Sequence, residues 1–81
     1  MTRRVRIRYV AMLREQRGLG DETIETAAAT ASDLYAELCA RHGFTLPAGR
    51  LRAAVNDTFV PWAHPLREGD EVTYIPPVAG G

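Results

Sequence analysis

The stretch Thr30–Gly43, TASDLYAELCARHG, decides how the rest of the chain is read. Thr30 is suited to cap a helix, and Asp33 follows three residues on, as in a capping box. Ala31, Leu34, Leu38 and Cys39 recur at helical spacing and form one apolar stripe, with Tyr35 on its flank. Gly43 is placed to end the helix in a left-handed conformation. His42 falls in the last turn, where the helix dipole favours a positive charge. This pattern predicts a helix over about 31–42 whose apolar face must lie on a sheet.

The flanking sequence supplies that sheet. Upstream, RRVRIRYV (Arg3–Val10) alternates strictly, with Val5, Ile7 and Tyr9 on one face and Arg4, Arg6 and Arg8 on the other. The arginine row reads as a solvated sheet face in preference to a dock for an anionic partner. AMLREQRGLG (Ala11–Gly20) breaks the alternation and suits one short helical turn ended by Gly18 and Gly20. DETIETAA (Asp21–Ala28) alternates weakly through Ile24 and reads as a second strand returning antiparallel to the first. Downstream, GFTLPAGR is a loop, and LRAAVN is a short strand with Ala54 or Val55 turned inward. Asn56 and Asp57 tolerate the left-handed conformations of a tight hairpin. The prolines of FVPWAHP (Phe59–Pro65) confine it to an edge. LREGD turns the chain, EVTYI (Glu71–Ile75) is the last strand, and Pro76 and Pro77 stop it. One helix crossing a mixed sheet of four or five strands is an α+β arrangement of the β-grasp, ubiquitin-like kind, with the last strand central beside the first. Residues 1–75 form the domain and 76–81 a flexible C-terminal arm.

Composition narrows the function classes. Eighty-one residues make one small domain with no room for a cleft between domains. Ten basic residues balance ten acidic ones, so no net charge draws the chain to nucleic acid or to a membrane. All ten are Arg, which reads as a codon bias toward Arg; either way, without a lysine ε-amine the chain cannot build isopeptide chains on itself. The basic start lacks the continuous apolar segment of a signal peptide, and no run reaches membrane-spanning length, so a cytoplasmic location is expected.

Side-chain chemistry is sparse. The single cysteine, Cys39, excludes an internal disulfide framework and fits core packing better than nucleophilic catalysis. Cys39 and His42 supply two metal ligands with His64 far off, too few for a metal site. His64 has no partner nearby in sequence, and Asp70 and Glu71 point to different sides of a strand. No phosphate-binding loop is present. Trp62 reads either as a surface anchor or as a cap on the core.

What remains is YIPPVAGG, Tyr74–Gly81. Two prolines favour an extended arm and lower the entropy lost when it is held. Two glycines can pass a channel too narrow for any side chain. A stiff spacer, a thin tip and a carboxylate together suit a protein whose C-terminus reacts in another protein's active site.

These residues carry a resemblance. AVNDTFVPWAHPLREGDEVTYIPPVAGG, Ala54–Gly81, resembles the C-terminal third of the MoaD-type small subunits of molybdopterin synthase, within the MoaD/ThiS-type ubiquitin-like sulfur carriers. Its landmarks are the VN hairpin, PL, GDEV and PPVAGG; YVAMLRE resembles the same family's first strand and following turn. The resemblance implies that no cofactor is bound and that an activating enzyme uses ATP to adenylate Gly81. A sulfurtransferase then makes the thiocarboxylate. The arm enters the large synthase subunit, in a heterotetramer, and gives its sulfur to cyclic pyranopterin monophosphate. Carried over, the reacting end is Gly81 with Gly80 beside it, the insertion arm is Pro76, Pro77, Val78 and Ala79, and the docking surface is chiefly Val72, Tyr74 and Ile75. The rival readings are a carrier for thiazole or cysteine synthesis, a ubiquitin-like modifier of other proteins, and a passive interaction domain.

Overall fold

The computed structural model describes residues 2–76. Pro77, Val78, Ala79, Gly80 and Gly81, and with them the division into domain and arm, lie outside the described residues. The elements run β1 (Arg3–Tyr9), α1 (Ala11–Arg17), β2 (Asp21–Thr26), α2 (Ala31–His42), a 3₁₀ turn (Ala48–Arg50), β3 (Arg52–Val55), β4 (Thr58–Val60) and β5 (Glu71–Ile75). The sheet order is β2-β1-β5-β3-β4. β5 lies parallel to β1, with Ile7 opposite Val72 and Tyr9 opposite Tyr74. Its other neighbour, β3, is antiparallel, as are the β1–β2 and β3–β4 pairs. The sheet is therefore a mixed five-stranded one with α2 across a single face.

Alternation fixes which side chains that face receives. Val5, Ile7 and Tyr9 of β1, Ala53 and Val55 of β3, and Val72 and Tyr74 of β5 join Leu34, Tyr35 and Leu38 of α2 in one core. The N-terminus of α2 is fully provided for, although the first N–H groups of a helix have no partner within it. Ala31 N–H donates to the His64 carbonyl at 3.1 Å and Ser32 N–H to the Trp62 carbonyl at 2.9 Å. Asp33 N–H donates to Thr30 Oγ1 at 3.1 Å. At the other end Gly43, at φ 70°, turns its N–H to the Cys39 carbonyl.

Three local expectations are corrected and one open choice is resolved. α1 is about two turns long rather than one, because Leu13 is wholly buried and anchors it before the left-handed Gly18 ends it. Tyr35 is in the core and Cys39 is half-buried, the reverse of stripe and flank. The reason is aromatic: Tyr35 packs against Tyr74 at 5.0 Å and against Trp62 at 5.9 Å, so α2 rolls toward that cluster. Val55 points inward together with Ala53, while Ala54 is buried on the opposite face of the sheet. His42 is not favoured as a cation. Burial lowers its pKa, with Arg17 next in effect, and this outweighs Glu22, whose Oε2 is 3.5 Å from His42 Nε2.

Candidate functional site

β5 is the central strand, and its last residues deliver the chain to Pro76 at one pole of the domain. Tyr74 holds that delivery point. Its ring is fully buried, stacks on Trp62 at 5.6 Å and an interplanar angle of 17°, and donates its hydroxyl to the Ala31 carbonyl at 2.7 Å. Burial pushes the phenol well above its ordinary pKa, so it stays a donor. Trp62 thus covers the core, which settles the two readings of it.

The expected docking surface therefore needs a correction. Val72 and Tyr74 have no exposed area, so neither can present its side chain to a partner. Strand alternation is the reason: these two face α2, while Glu71, Thr73 and Ile75 face away. Of the three residues expected to dock through the strand, only Ile75 is on the open face and accessible. Pro76 is half-buried beside it.

The open face divides into two halves. On the β2–β1 side the arginine row is matched by acids of adjoining elements. Arg4 meets Glu25 at 3.4 Å, Arg6 meets Asp21 at 3.1 Å, and Arg8 meets Glu71 at 3.6 Å. Exposed pairs of this kind contribute little each, but they leave no unbalanced positive stripe for an anionic partner. Toward β3 and β4 the face turns apolar. A groove of about 400 Å³ is lined by Val10, Ala54, Phe59, Thr73 and Ile75, with Arg8 and Asp57 at its rim. A second hollow of about 340 Å³ shares Phe59 and Ile75 and runs on to Arg50, Arg52 and Pro76. Phe59 is 53% exposed, and the Arg52 guanidinium lies 3.9 Å from its ring centroid.

Sequence reasoning missed Phe59, Val10 and Thr73, and left the facing of Ala54 open. The signal was present in the hairpin. Asn56 and Asp57 have φ 52° and 66°, the two-residue turn that sets Ala54 opposite Phe59. Since Ala53 and Val55 face the core, that pair must face outward, so an aromatic ring is placed on the open side.

A separate polar cluster ties the pole together. Glu22 accepts from Arg17 Nε at 2.9 Å, from Arg17 Nη2 at 2.9 Å and from the Tyr9 hydroxyl at 2.6 Å. The hydrogen bonds from Arg17 are the main reason its carboxyl is held down to about 2. The Glu22 cluster joins α1, β1 and β2 and is a structural clamp. Among the described residues no group of three or more His, Cys, Asp or Glu is placed to hold a metal ion. Nor does any described helix have the length and apolarity to cross a membrane.

Comparison with known proteins bears on the same end of the chain. The model of the ThiS family matches residues 7–81. The molybdopterin synthase sulfur carrier subunit of Escherichia coli (strain K12) is 39% identical over 82 aligned positions, covering 95% of this chain and 99% of that one. A solved structure from Pyrococcus furiosus, a putative molybdopterin converting factor subunit 1, superposes with a TM-score of 0.77 at 30% identity, over 94% of this chain and 99% of that one. A Helicobacter pylori chain, solved in a protein–protein complex of subunits 1 and 2 of molybdopterin-converting factor, superposes at 0.65 with 28% identity, over 96% and 99% of the two chains.

Proposed function

The chain belongs to the ThiS family, and from that premise we propose that it is a sulfur carrier of molybdopterin synthesis whose reacting group is the C-terminal carboxyl of Gly81. One observation carries the reading: the strand that leads to the Gly-Gly tip is the central one, pinned by Tyr74 and flanked on its open side by an apolar groove. A delivered end needs a fixed origin and an adjoining surface to dock. The high identity to a relative named as the molybdopterin synthase sulfur carrier subunit supports this branch over the thiazole and cysteine ones.

In this reading an activating enzyme joins the Gly81 carboxylate to AMP with release of pyrophosphate. Sulfide-level sulfur delivered by a sulfurtransferase attacks the acyl carbon, AMP leaves with the electron pair of the C–O bond, and a thiocarboxylate remains. Pro76, Pro77, Val78, Ala79 and Gly80 carry the thiocarboxylate into the large subunit of the synthase, where its sulfur passes to cyclic pyranopterin monophosphate. The domain contributes docking and direction, and no side chain of its own does chemistry. Docking is through Phe59, Val10, Thr73 and Ile75, with Pro76 at the edge; Val72 and Tyr74 act only by holding the strand. The complex titled for the Helicobacter pylori chain supports a large-subunit partner.

The test is an intact-mass spectrum after incubation with ATP, the activating enzyme and a sulfur donor. The expected product has one oxygen exchanged for sulfur and persists in a Cys39→Ala variant. A whole sulfur atom added, and lost with Cys39→Ala, places the sulfur on the thiol and contradicts the proposal.

A further inference from the structure

Every cationic side chain in the 81 residues except histidine is Arg. Three of them, Arg8, Arg50 and Arg52, stand at the hollows around Ile75 and Pro76. Five residues beyond Pro76 reach at most about 18 Å. A lysine at any of these three positions would lie within the sweep of the terminal carboxyl. A short tether gives effective concentrations on the order of millimolar, so an ε-amine there would meet an activated carboxyl often. A guanidinium keeps the charge, stays protonated and offers no lone pair.

Among the described residues, the three tyrosine hydroxyls are withdrawn into the domain. The hydroxyl of Tyr9 donates to Glu22 Oε2 at 2.6 Å, that of Tyr35 to the Leu46 carbonyl at 2.5 Å and that of Tyr74 to the Ala31 carbonyl at 2.7 Å. All three rings are buried, and burial holds each phenol protonated. Cys39 is half-buried in α2, packed against the core.

We propose that the domain is built to be inert toward its own activated C-terminus: the rim of the arm carries charge without a nucleophile, so the acyl group waits for the partner's sulfur. This rests on the sulfur-carrier reading. The reaction avoided is attack of an amine nitrogen on the acyl carbon. A C–N bond would form, the C–O bond to AMP would break with AMP taking the electron pair, and the ammonium proton would go to water. The product would be a lactam, or a cross-link between copies.

The experiment uses the full chain bearing a thioester at Gly81, prepared without any partner enzyme, so its outcome does not depend on whether the carrier reading holds. The unaltered chain is expected to lose the thioester to water alone. Arg52→Lys and Arg8→Lys should form a lactam, one water lighter than the free acid and stable to added thiol, at roughly tenfold or more the level in the unaltered chain. Arg4→Lys is the control. The β1–β5 register sets Arg4 seven strand positions, about 23 Å, from the level of Pro76, and it should yield no more lactam than the unaltered chain. Lactam or cross-linked dimer in the unaltered chain at the level of Arg52→Lys overturns the proposal. So does an equal yield from Arg4→Lys and both rim lysines.

Discussion

Val72 and Tyr74 on one face of β5, and Thr73 and Ile75 on the other, are sequence neighbours with opposite duties. The inner pair has no exposed area and is held by α2 and Trp62. The outer pair lines an open groove with Phe59. One pleat separates a foundation from the proposed docking surface. The lesson is that apolar character near a reactive tip does not mark an interface. Strand parity decides which apolar residues a partner can touch.

The largest expected effect breaks the inner face. Tyr74→Ala removes a buried ring, its stacking on Trp62 and its hydrogen bond to Ala31, and should cost about 3–5 kcal/mol in urea unfolding. Unchanged stability together with lost partner affinity would show that Tyr74 docks after all. Next comes the outer face. Phe59→Ala should leave the unfolding midpoint nearly unaltered while weakening binding to the synthase large subunit by about 2 kcal/mol, near thirtyfold. Calorimetric titration reads this, and undiminished affinity would move the dock elsewhere. Added salt should weaken that binding only modestly, because the nearby arginine row is already matched by acids.

A smaller effect concerns the junction between β1 and the groove. Ala11 has φ 51°, a left-handed conformation that carries strain for alanine, directly after Val10. Ala11→Gly should raise stability by about 1 kcal/mol and leave docking unchanged. A loss of stability on thermal melting would show that the conformation is not strained.

The smallest effect is the pH dependence of the clamp. The pKa of His42 is lowered in the folded state, so the unfolded chain binds its proton first as pH falls. Stability should therefore decline below about 6.5. Glu22 is depressed to about 2, so its contribution, intact above its ordinary range, is lost as pH drops toward 2. His42→Gln should flatten the upper limb of a melting-temperature profile and leave the lower one. An unchanged upper limb would show that burial does not lower the pKa of His42.

Much of the fold was legible because its signals are local. Thr30, Asp33 and Gly43 bound α2 at the predicted ends, and alternation places Val5, Ile7 and Tyr9 inward. The central parallel β5 followed from one crossover and the order of strands. Less legible was anything that depends on which way an element rolls. Tyr35 and Cys39 exchanged places because an aromatic cluster drawn from α2, β5 and two loops turned the helix, and nothing local to α2 encodes that. His42 departs from its local signal for a similar reason. The dipole is local, whereas its burial and Arg17 come from elsewhere in the chain. At the site, Ile75 is legible, but Phe59 reads only as part of an edge strand. Its outward face needed the hairpin register, which Asn56 and Asp57 in fact supply.

The central claim is that the carboxyl at Gly81 is the reacting group and that the domain only presents it. The direct measurement is molybdopterin formation with the large subunit by a chain carrying one extra alanine after Gly81, with sulfur loading followed separately by mass. The addition moves the carboxyl by up to about 3.5 Å, and reacting atoms must approach within about 3–3.5 Å. The account predicts that transfer is abolished while the melting temperature and the affinity for the large subunit stay close to those of the unaltered chain. Normal loading and transfer by the extended chain, with mass showing the alanine still in place, would contradict it.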